Sequence, residues 1–408
     1  MTPPSTAAPL SRSVSGFIYA LMLVEMTCLG LLLPVLPSRI AQLVGSGSVA
    51  ILWYGVATFV FAGCFALGAG LSGSFSDGHG RRRPILVNCI GSAIGHVAAA
   101  VSPGILVFLL CRAWCGLFNG NITLAQAYVA DLTLPEERAR RFGTLGAMQG
   151  FGFVLGPILG GYLGLEDLRV PFLAAGLAAA LSGVLAWFLL PESLSADQRR
   201  TTGVIVSHPL RPVVELTRVP GFGPMIPALA IFTLAQNIMI TTWVPYATDR
   251  FGWGPAENGW GLFTFGMTNI LAQGLLFPVL SRRLGLHRLC VLALLSSAVA
   301  FVGFGITHSG RIAMLLMVGN MVGLSANLAF QTIASRGANP ASQGAVMGGL
   351  QALTNLTLLV APLFTAPLLY PLSRWTAVDW KAGLPMYFCS GLVILALGTS
   401  LRPLLRKS

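Results

Sequence analysis

Gly73-Ser74-Phe75-Ser76-Asp77-Gly78-His79-Gly80-Arg81-Arg82-Arg83-Pro84 is the stretch on which the reading of this chain turns. It separates two apolar runs, 50–73 and 84–102, and every Asp, Glu, Lys and Arg between 50 and 102 falls inside it. A helix needs about 20 apolar residues to cross a hydrocarbon layer of ~30 Å. In lipid a helix satisfies its own backbone, so helices are the expected spanning form. The two runs therefore read as membrane spans joined by a tight polar turn, with Gly80 supplying the backbone freedom. Asp77 stands where the first span ends, among three arginines.

The same pattern repeats in both directions. Twelve apolar runs are legible, at 14–36, 50–73, 84–102, 104–129, 142–164, 170–190, 222–248, 258–280, 288–307, 311–334, 344–370 and 382–401. The chain is 55% hydrophobic and 9% charged, against roughly a quarter charged in a soluble domain. The surplus apolar surface must face lipid, so the expected fold is an all-α integral membrane protein. The first run is too long for a cleavable signal and reads as a retained span.

A net charge of +12 invites a nucleic-acid partner, but its placement argues otherwise. With both termini cytosolic, the inside segments hold 18 of the 25 Lys and Arg and the outside segments six. That is the positive-inside bias of a membrane protein, and it sets the expected orientation. The seven cysteines lie in or beside spans, without Cys-x-x-Cys pairs or a His cluster. Neither a metal site nor a disulfide framework is supported. No Ser/His/Asp set and no Gly-x-x-x-x-Gly-Lys phosphate loop is present, so no enzyme is expected and no ATP-driven step.

The longest polar stretch, 191–220, divides the chain into 1–190 and 221–408, six spans each. A shift of 205 residues lays Gly80 on Gly285, Arg83 on Arg288, Gly143 on Gly348, and Gly156-Pro157 on Ala361-Pro362. One offset serving distant landmarks points to duplication. Two pseudo-symmetric six-helix halves, with a substrate site near midplane, is a transporter layout.

Three sets of residues carry chemistry. The loop Gly73, Asp77, Gly80, Arg81, Arg82 and Arg83 reads either as an ordinary charged stop or as a latch whose ion pair breaks when helices shift. In span 5, Gly152, Gly156, Gly160 and Gly164 recur every fourth residue, with Pro157 and Gly161 among them. Such a bare strip admits a close neighbouring helix. Span 1 carries Glu25, the one carboxylate deep in any span, and span 4 carries Arg112. At ~1.5 Å per residue, Glu25 lies ~16 Å from the inner end and Arg112 ~12 Å from the outer end. Spans 1 and 4 of one half could bring them together, as a structural ion pair or as a proton-coupling site. Burial favours the neutral acid and a nearby guanidinium the carboxylate. His96, at similar depth in span 3, is a second coupling candidate. Asn119, Asn121, Gln149, Gln236, Asn237, Asn327 and Asn355 are uncharged polar groups at bilayer depth, read as interhelical glue or as cavity lining together with Trp243.

The loop resembles the signature of the major facilitator superfamily, Gly-x-x-x-Asp-Arg-x-Gly-Arg-Arg, with Gly78 in place of the usual arginine. The core Gly156-Pro157-Ile158-Leu159-Gly160-Gly161 resembles the antiporter motif of its drug:proton branch. Further stretches are similar to the bacterial tetracycline efflux proteins: Ala127 to Asp131, Glu137 to Gly143, Pro171 to Ser193, Asp249 to Trp253, and Gln343-Gly344 with Leu350 to Asn355. The similarity runs in one order over nearly the whole chain. Glu25, before Gly30 and Pro34-Val35-Leu36-Pro37, holds the place of that family's span 1 acid, and Arg112 that of its span 4 arginine. Two acids that the family ties to metal-tetracycline transport are absent here. One falls on Gly95, the other in Val291–Leu295.

The resemblance implies a proton-coupled exporter of a drug-like or amphipathic compound in a bacterial inner membrane. Its expected partners are a small-molecule substrate and the bilayer, as a monomer, with the proton as coupling ion and no other cofactor or metal. A facilitator or symporter for a small metabolite shares the fold but has no need of the span 5 motif.

Overall fold

The computed structural model describes residues 12–194, 199, 211–220, 222–338, 343–371 and 379–405. Half of the 191–220 loop lies outside them, as do Arg374, Arg406 and Lys407. Every regular element described is helical. The first eight helices are α1 (Arg12–Leu32), α2 (Leu36–Val44), α3 (Ser48–His79), α4 (Arg82–Ala100), α5 (Ile105–Leu117), α6 (Asn121–Asp131), α7 (Pro135–Leu163) and α8 (Val170–Leu189). After the loop come α9 (Arg211–Thr217), α10 (Ile226–Phe251), α11 (Pro255–Leu271), α12 (Phe277–Leu284), α13 (Leu286–Ile306), α14 (Gly310–Gly319), α15 (Ala326–Gly337), α16 (Gln343–Leu369) and α17 (Leu384–Leu405).

Among the described residues ten helices are long and apolar enough to cross a membrane, or eleven if the pair Gly310–Gly319 and Gly323–Gly337, bent by 49°, is one span. Twelve runs were legible in the sequence. The difference lies in the third, 84–102, which forms α4. Its nineteen residues begin with Arg82 and Arg83 and include Asn88, Ser92 and His96. These polar groups lower its hydropathy. The fourth run is also interrupted, since α5 ends at Leu117 and α6 begins at Asn121.

The chain forms two compact units. The first holds the residues up to Val44 and those from Val60 to the central loop; the second holds Gly45–Phe59 and everything after the loop. In the first unit α7 lies along α1 because its glycines leave room. A Cβ on Gly152 would meet the Leu23 carbonyl, one on Gly156 would strike Gly30 Cα, and one on Gly160 would meet the Leu31 carbonyl. The every-fourth-residue strip is thus a helix–helix seam. Lipid tails are as apolar as these side chains, so close fit holds the seam together. Next to it, Phe17, Ile18, Leu21 and Met22 of α1 pack with Ile85 and Cys89 of α4 and with Leu124 and Tyr128 of α6.

In the second unit α10 carries the centre of an aromatic core. Trp243 packs against Phe304 at 5.2 Å, Tyr246 at 6.1 Å and Trp253 at 6.1 Å between ring centres. The two turns that the 205-residue shift superposes share one backbone device: Gly80 has φ +89° and Gly285 φ +75°.

Candidate functional site

The turn after α3 is built around one guanidinium. Gly80 N–H donates to the Ser76 carbonyl at 3.0 Å and closes the helix. Its left-handed φ then turns the chain so that Arg81 folds back onto α3. Arg81 Nη1 donates to Asp77 Oδ1 at 2.6 Å and to Ser76 Oγ at 2.5 Å. Its Nε donates to Asp131 Oδ2, at the end of α6, at 2.9 Å. The Arg81 side chain is 11% exposed, Asp131 19% and Asp77 40%. Burial works against the charge of Arg81, but the Asp131 and Asp77 carboxylates outweigh it and raise its pKa above the ordinary arginine value. With Gly78 after Asp77, the arginine that completes the pair is Arg81, four residues on.

A second carboxylate fixes the backbone of the turn. Glu192, just beyond α8, accepts from Arg81 N–H at 2.7 Å and Arg82 N–H at 3.4 Å. It also accepts from Ser193 N–H at 3.0 Å and Leu194 N–H at 3.2 Å. A Cβ on Gly80 would run into this carboxylate, so the position requires glycine on both conformational and steric grounds. Ser193 Oγ donates to Asp131 at 3.3 Å, tying the two acids together. Arg82 donates to the Trp187 carbonyl at 2.5 Å and lies over the Trp187 ring at 5.6 Å. Arg83 is exposed, and Gly73 accepts from Ser76 Oγ at 2.7 Å. The sequence offered Asp77 and the arginines. It gave no spacing for Asp131 and Glu192, which lie 50 and 111 residues from Arg81. Only the stretches similar to the efflux proteins contain them.

The interior site of the same unit centres on Glu25, which is 7% exposed. Asn121, at the start of α6, donates from Nδ2 to Glu25 Oε2 at 3.3 Å and to Cys89 Sγ at 3.5 Å. Glu25 Oε1 is buried with no hydrogen-bond partner. No ion pair joins Glu25 to Arg112 among the described residues, although sequence depth allowed one. Instead Arg112 lies over the Phe61 ring at 4.1 Å. Its charge acts on His96, whose Nδ1 is 3.7 Å from Cys115 Sγ. Spans 1 and 4 do meet at the acid, through Asn121 and not through the arginine. The helix is interrupted at Asn119 and Gly120, so Arg112 lies on α5 and Asn121 opens α6. Asn119 is buried with Oδ1 unpartnered, and Gln149 on α7 donates to Met22 Sδ at 3.8 Å.

In the second unit the polar candidates are uncharged. Asn237 donates to Thr357 Oγ1 at 3.0 Å, and Thr241 and Thr365 share a hydrogen bond at 3.0 Å. Gln236 Oε1 is buried without a partner. Gln351 donates to Asn355 Oδ1 at 2.9 Å, both on an exposed face of α16. Gln331 donates to Asn327 Oδ1 at 3.4 Å. Exposed amides at mid-helix mark a face turned toward water and not toward hydrocarbon. Trp243 does not belong to such a face; it is 1% exposed inside the aromatic core. A cavity of about 450 Å³, lined by Leu52, Phe59, Leu363, Ala366 and Tyr370 among others, contains none of these polar groups. No cluster of three His, Cys, Asp or Glu is present among the described residues.

Two helical units, a charged turn held by a buried arginine, and an acid that alone is buried among the described residues define a membrane transporter. The chain belongs to the Major Facilitator Superfamily, whose pattern it matches over residues 18–362. It is 31% identical to the class C tetracycline resistance protein of Escherichia coli, over 88% of this chain and 90% of that one. It is 32% identical to the class G protein of Vibrio anguillarum, over 95% and 99%. Among solved structures it is similar in fold to the human organic anion transporter MFSD10, with TM-score 0.68, 23% identity and coverage of 96% and 100%. A bacterial homologue of the human lysosomal transporter Spinster gives TM-score 0.75, 16% identity and 96% of both chains.

Proposed function

We propose that this protein exports an amphipathic, drug-like organic compound in exchange for protons, with Glu25 as the coupling carboxylate. The observation that carries the proposal is the setting of Glu25: one oxygen on Asn121, the other buried and unpartnered, and no cation paired with it. An ionised carboxylate held so is costly, whereas the neutral acid needs only ordinary hydrogen-bond partners. A site that holds the acid neutral and must open to release its proton ties protonation to conformation. Proton entry from outside then favours substrate release, and proton loss inside readmits substrate. His96, beside Cys115 and under the charge of Arg112, is the second candidate group. The similarity to tetracycline resistance proteins supports export of a drug.

The Arg81 cluster is the latch of this cycle. Its ion pairs are short and partly exposed, so they can be exchanged when α3 and α6 shift. The placement of Lys and Arg supports cytosolic termini, and the bacterial relatives support an inner-membrane location; the protein works as a monomer with the proton as its coupling ion. The polar groups Asn119, Asn121, Gln149, Gln236, Asn237, Asn327 and Asn355 supply uncharged donors and acceptors for substrate. The test is substrate-induced proton movement in reconstituted vesicles across a panel of amphipathic compounds. Substrate accumulation that ignores an imposed pH gradient would leave a facilitator in its place.

A further inference from the structure

Beside the α1–α7 seam, at the start of α7, lies a crevice of about 260 Å³ lined by Tyr19, Glu137, Arg140, Arg141 and Thr144. Arg141 is committed within it, donating to Ser15 Oγ at 3.2 Å and to Glu137 Oε2 at 3.2 Å. Arg140 is exposed, and its guanidinium has no hydrogen-bond or ion-pair partner among the described residues. Glu137 pairs with Arg141, so among the described residues the crevice keeps the positive charge of Arg140 uncompensated. The start of the 29-residue α7 lies beside it, and a helix N-terminus also favours an anion.

A second feature says what kind of anion. Glu137, Arg141 and Thr144 lie on one face of α7. That face continues as Phe151, Leu155, Leu159 and Tyr162, which are 46, 42, 47 and 52% exposed. A polar head, with positive charge and the Tyr19 hydroxyl, therefore tops a long exposed apolar stripe. Arg141 is the last charged residue of α7 and an uncharged run follows it to Leu163, which sets the crevice at the edge of the hydrocarbon. A soluble phosphate compound would use the head and leave the stripe bare. A phospholipid uses both.

We infer that the α1–α7 crevice is a binding site for the phosphate headgroup of an anionic phospholipid, with Arg140 as its principal contact and an acyl chain laid along the α7 stripe. The shared chemistry is a phosphate oxyanion, and basic pockets between helix ends suit such groups. This does not depend on what the protein transports or on proton coupling.

The test uses the purified full chain in phosphatidylcholine nanodiscs with rising phosphatidylglycerol, read by native mass spectrometry and by thermal unfolding. Wild type should retain phosphatidylglycerol over phosphatidylcholine and unfold at a higher temperature as its fraction rises. Arg140→Gln breaks no bond among the described residues and should fold normally in phosphatidylcholine. It should nevertheless weaken phosphatidylglycerol retention about tenfold, the scale of one charge-assisted hydrogen bond. Arg282→Gln removes an equal charge at the end of α12 and should leave retention unchanged. Equal retention by wild type and Arg140→Gln, or equal losses from both variants, would overturn the site. If inorganic phosphate alone reproduces the stabilisation in wild type and not in Arg140→Gln, the lipid assignment falls and the crevice belongs to a soluble phosphate compound.

Discussion

The two units share a scaffold and differ in chemistry. Each turns from its second to its third span on a left-handed glycine, Gly80 or Gly285. Each buries an arginine after its first span against the carbonyls that end its third. Arg39 donates to Ala100 and Ser102 at 3.0 and 3.3 Å, and Arg250 to Gly305 and Thr307 at 3.0 and 3.2 Å. Each interrupts its fourth span at an asparagine, Asn119 or Asn320. A serine of the third span donates there in both: Ser92 to the Phe118 carbonyl at 3.1 Å, Ser296 to Asn320 Oδ1 at 3.1 Å. The buried acid, its asparagine partner and the arginine cluster occur in the first unit. The described second unit offers amides and threonine hydroxyls instead. The features the two units share are those that shape the backbone, while the buried acid and the arginine cluster stand in the first unit.

Substitutions at matched places sharpen that contrast. The largest effect is expected from Glu25→Gln, which fixes the neutral form. It should abolish pH-driven uphill export while leaving substrate binding and exchange measurable. Asn237→Ala in the second unit should change apparent substrate affinity and leave coupling intact. Full accumulation by the Glu25→Gln protein in vesicles would move the coupling role to His96.

Gly156 comes next. The 205-residue shift lays it on Ala361, which the second unit accommodates, whereas in the first unit a Cβ would strike Gly30. Gly156→Ala should destabilise by roughly 1–3 kcal/mol, the range for overpacking a tight contact. Gly348→Ala, with open space around it, should be neutral or slightly stabilising. Thermal unfolding in one detergent compares the two directly.

In the latch, Arg81→Gln strands two carboxylates and should cost about 3 kcal/mol. Asp77→Asn should cost only about 1 kcal/mol, because Asp77 is partly exposed. It should still slow transport while the protein remains inserted. Unchanged turnover would reduce the cluster to a structural cap. The smallest effect concerns alkali. The pKa of Arg81 is raised, so its contribution is complete below the ordinary arginine value and is lost only above the raised one. Protection factors for hydrogen exchange across the Gly80 turn, with the intrinsic base-catalysed rate divided out, should therefore be the same at about pH 7 and about pH 9, well below the arginine range.

What the sequence made legible follows from range. Local chemistry was readable: apolar runs, the turn at Gly80, the glycine strip of α7 and the solitary Glu25. Partnerships across distant segments were not. Depth counting placed Glu25 and Arg112 at one level, but depth says nothing about azimuth, and the break at Asn119 gave the acid Asn121 as its partner. Trp243 showed the same limit, since an aromatic at mid-depth reads alike whether it faces a cavity or a core. Asp131 and Glu192 sit at helix ends, where a carboxylate carries no periodic signal. The third span was read from its length, and its own Asn88, Ser92 and His96 keep it from the apolarity of its neighbours.

The paired arginines have a consequence for biogenesis. Arg39 enters the membrane region before its acceptors exist, because the carbonyls of Ala100 and Ser102 are made 61 and 63 residues later. Until then its charge has to stay at the water interface. The arrival of the third span supplies the carbonyls and lets the arginine sink, so insertion of that span and closure of the unit become one event. Arg250 repeats the wait over 55 and 57 residues for Gly305 and Thr307, and then a longer one for the carbonyl of Asp379 at 2.7 Å. The buried charge of Arg39 can therefore be settled while the second half is still being synthesised, and that of Arg250 only as the final span emerges.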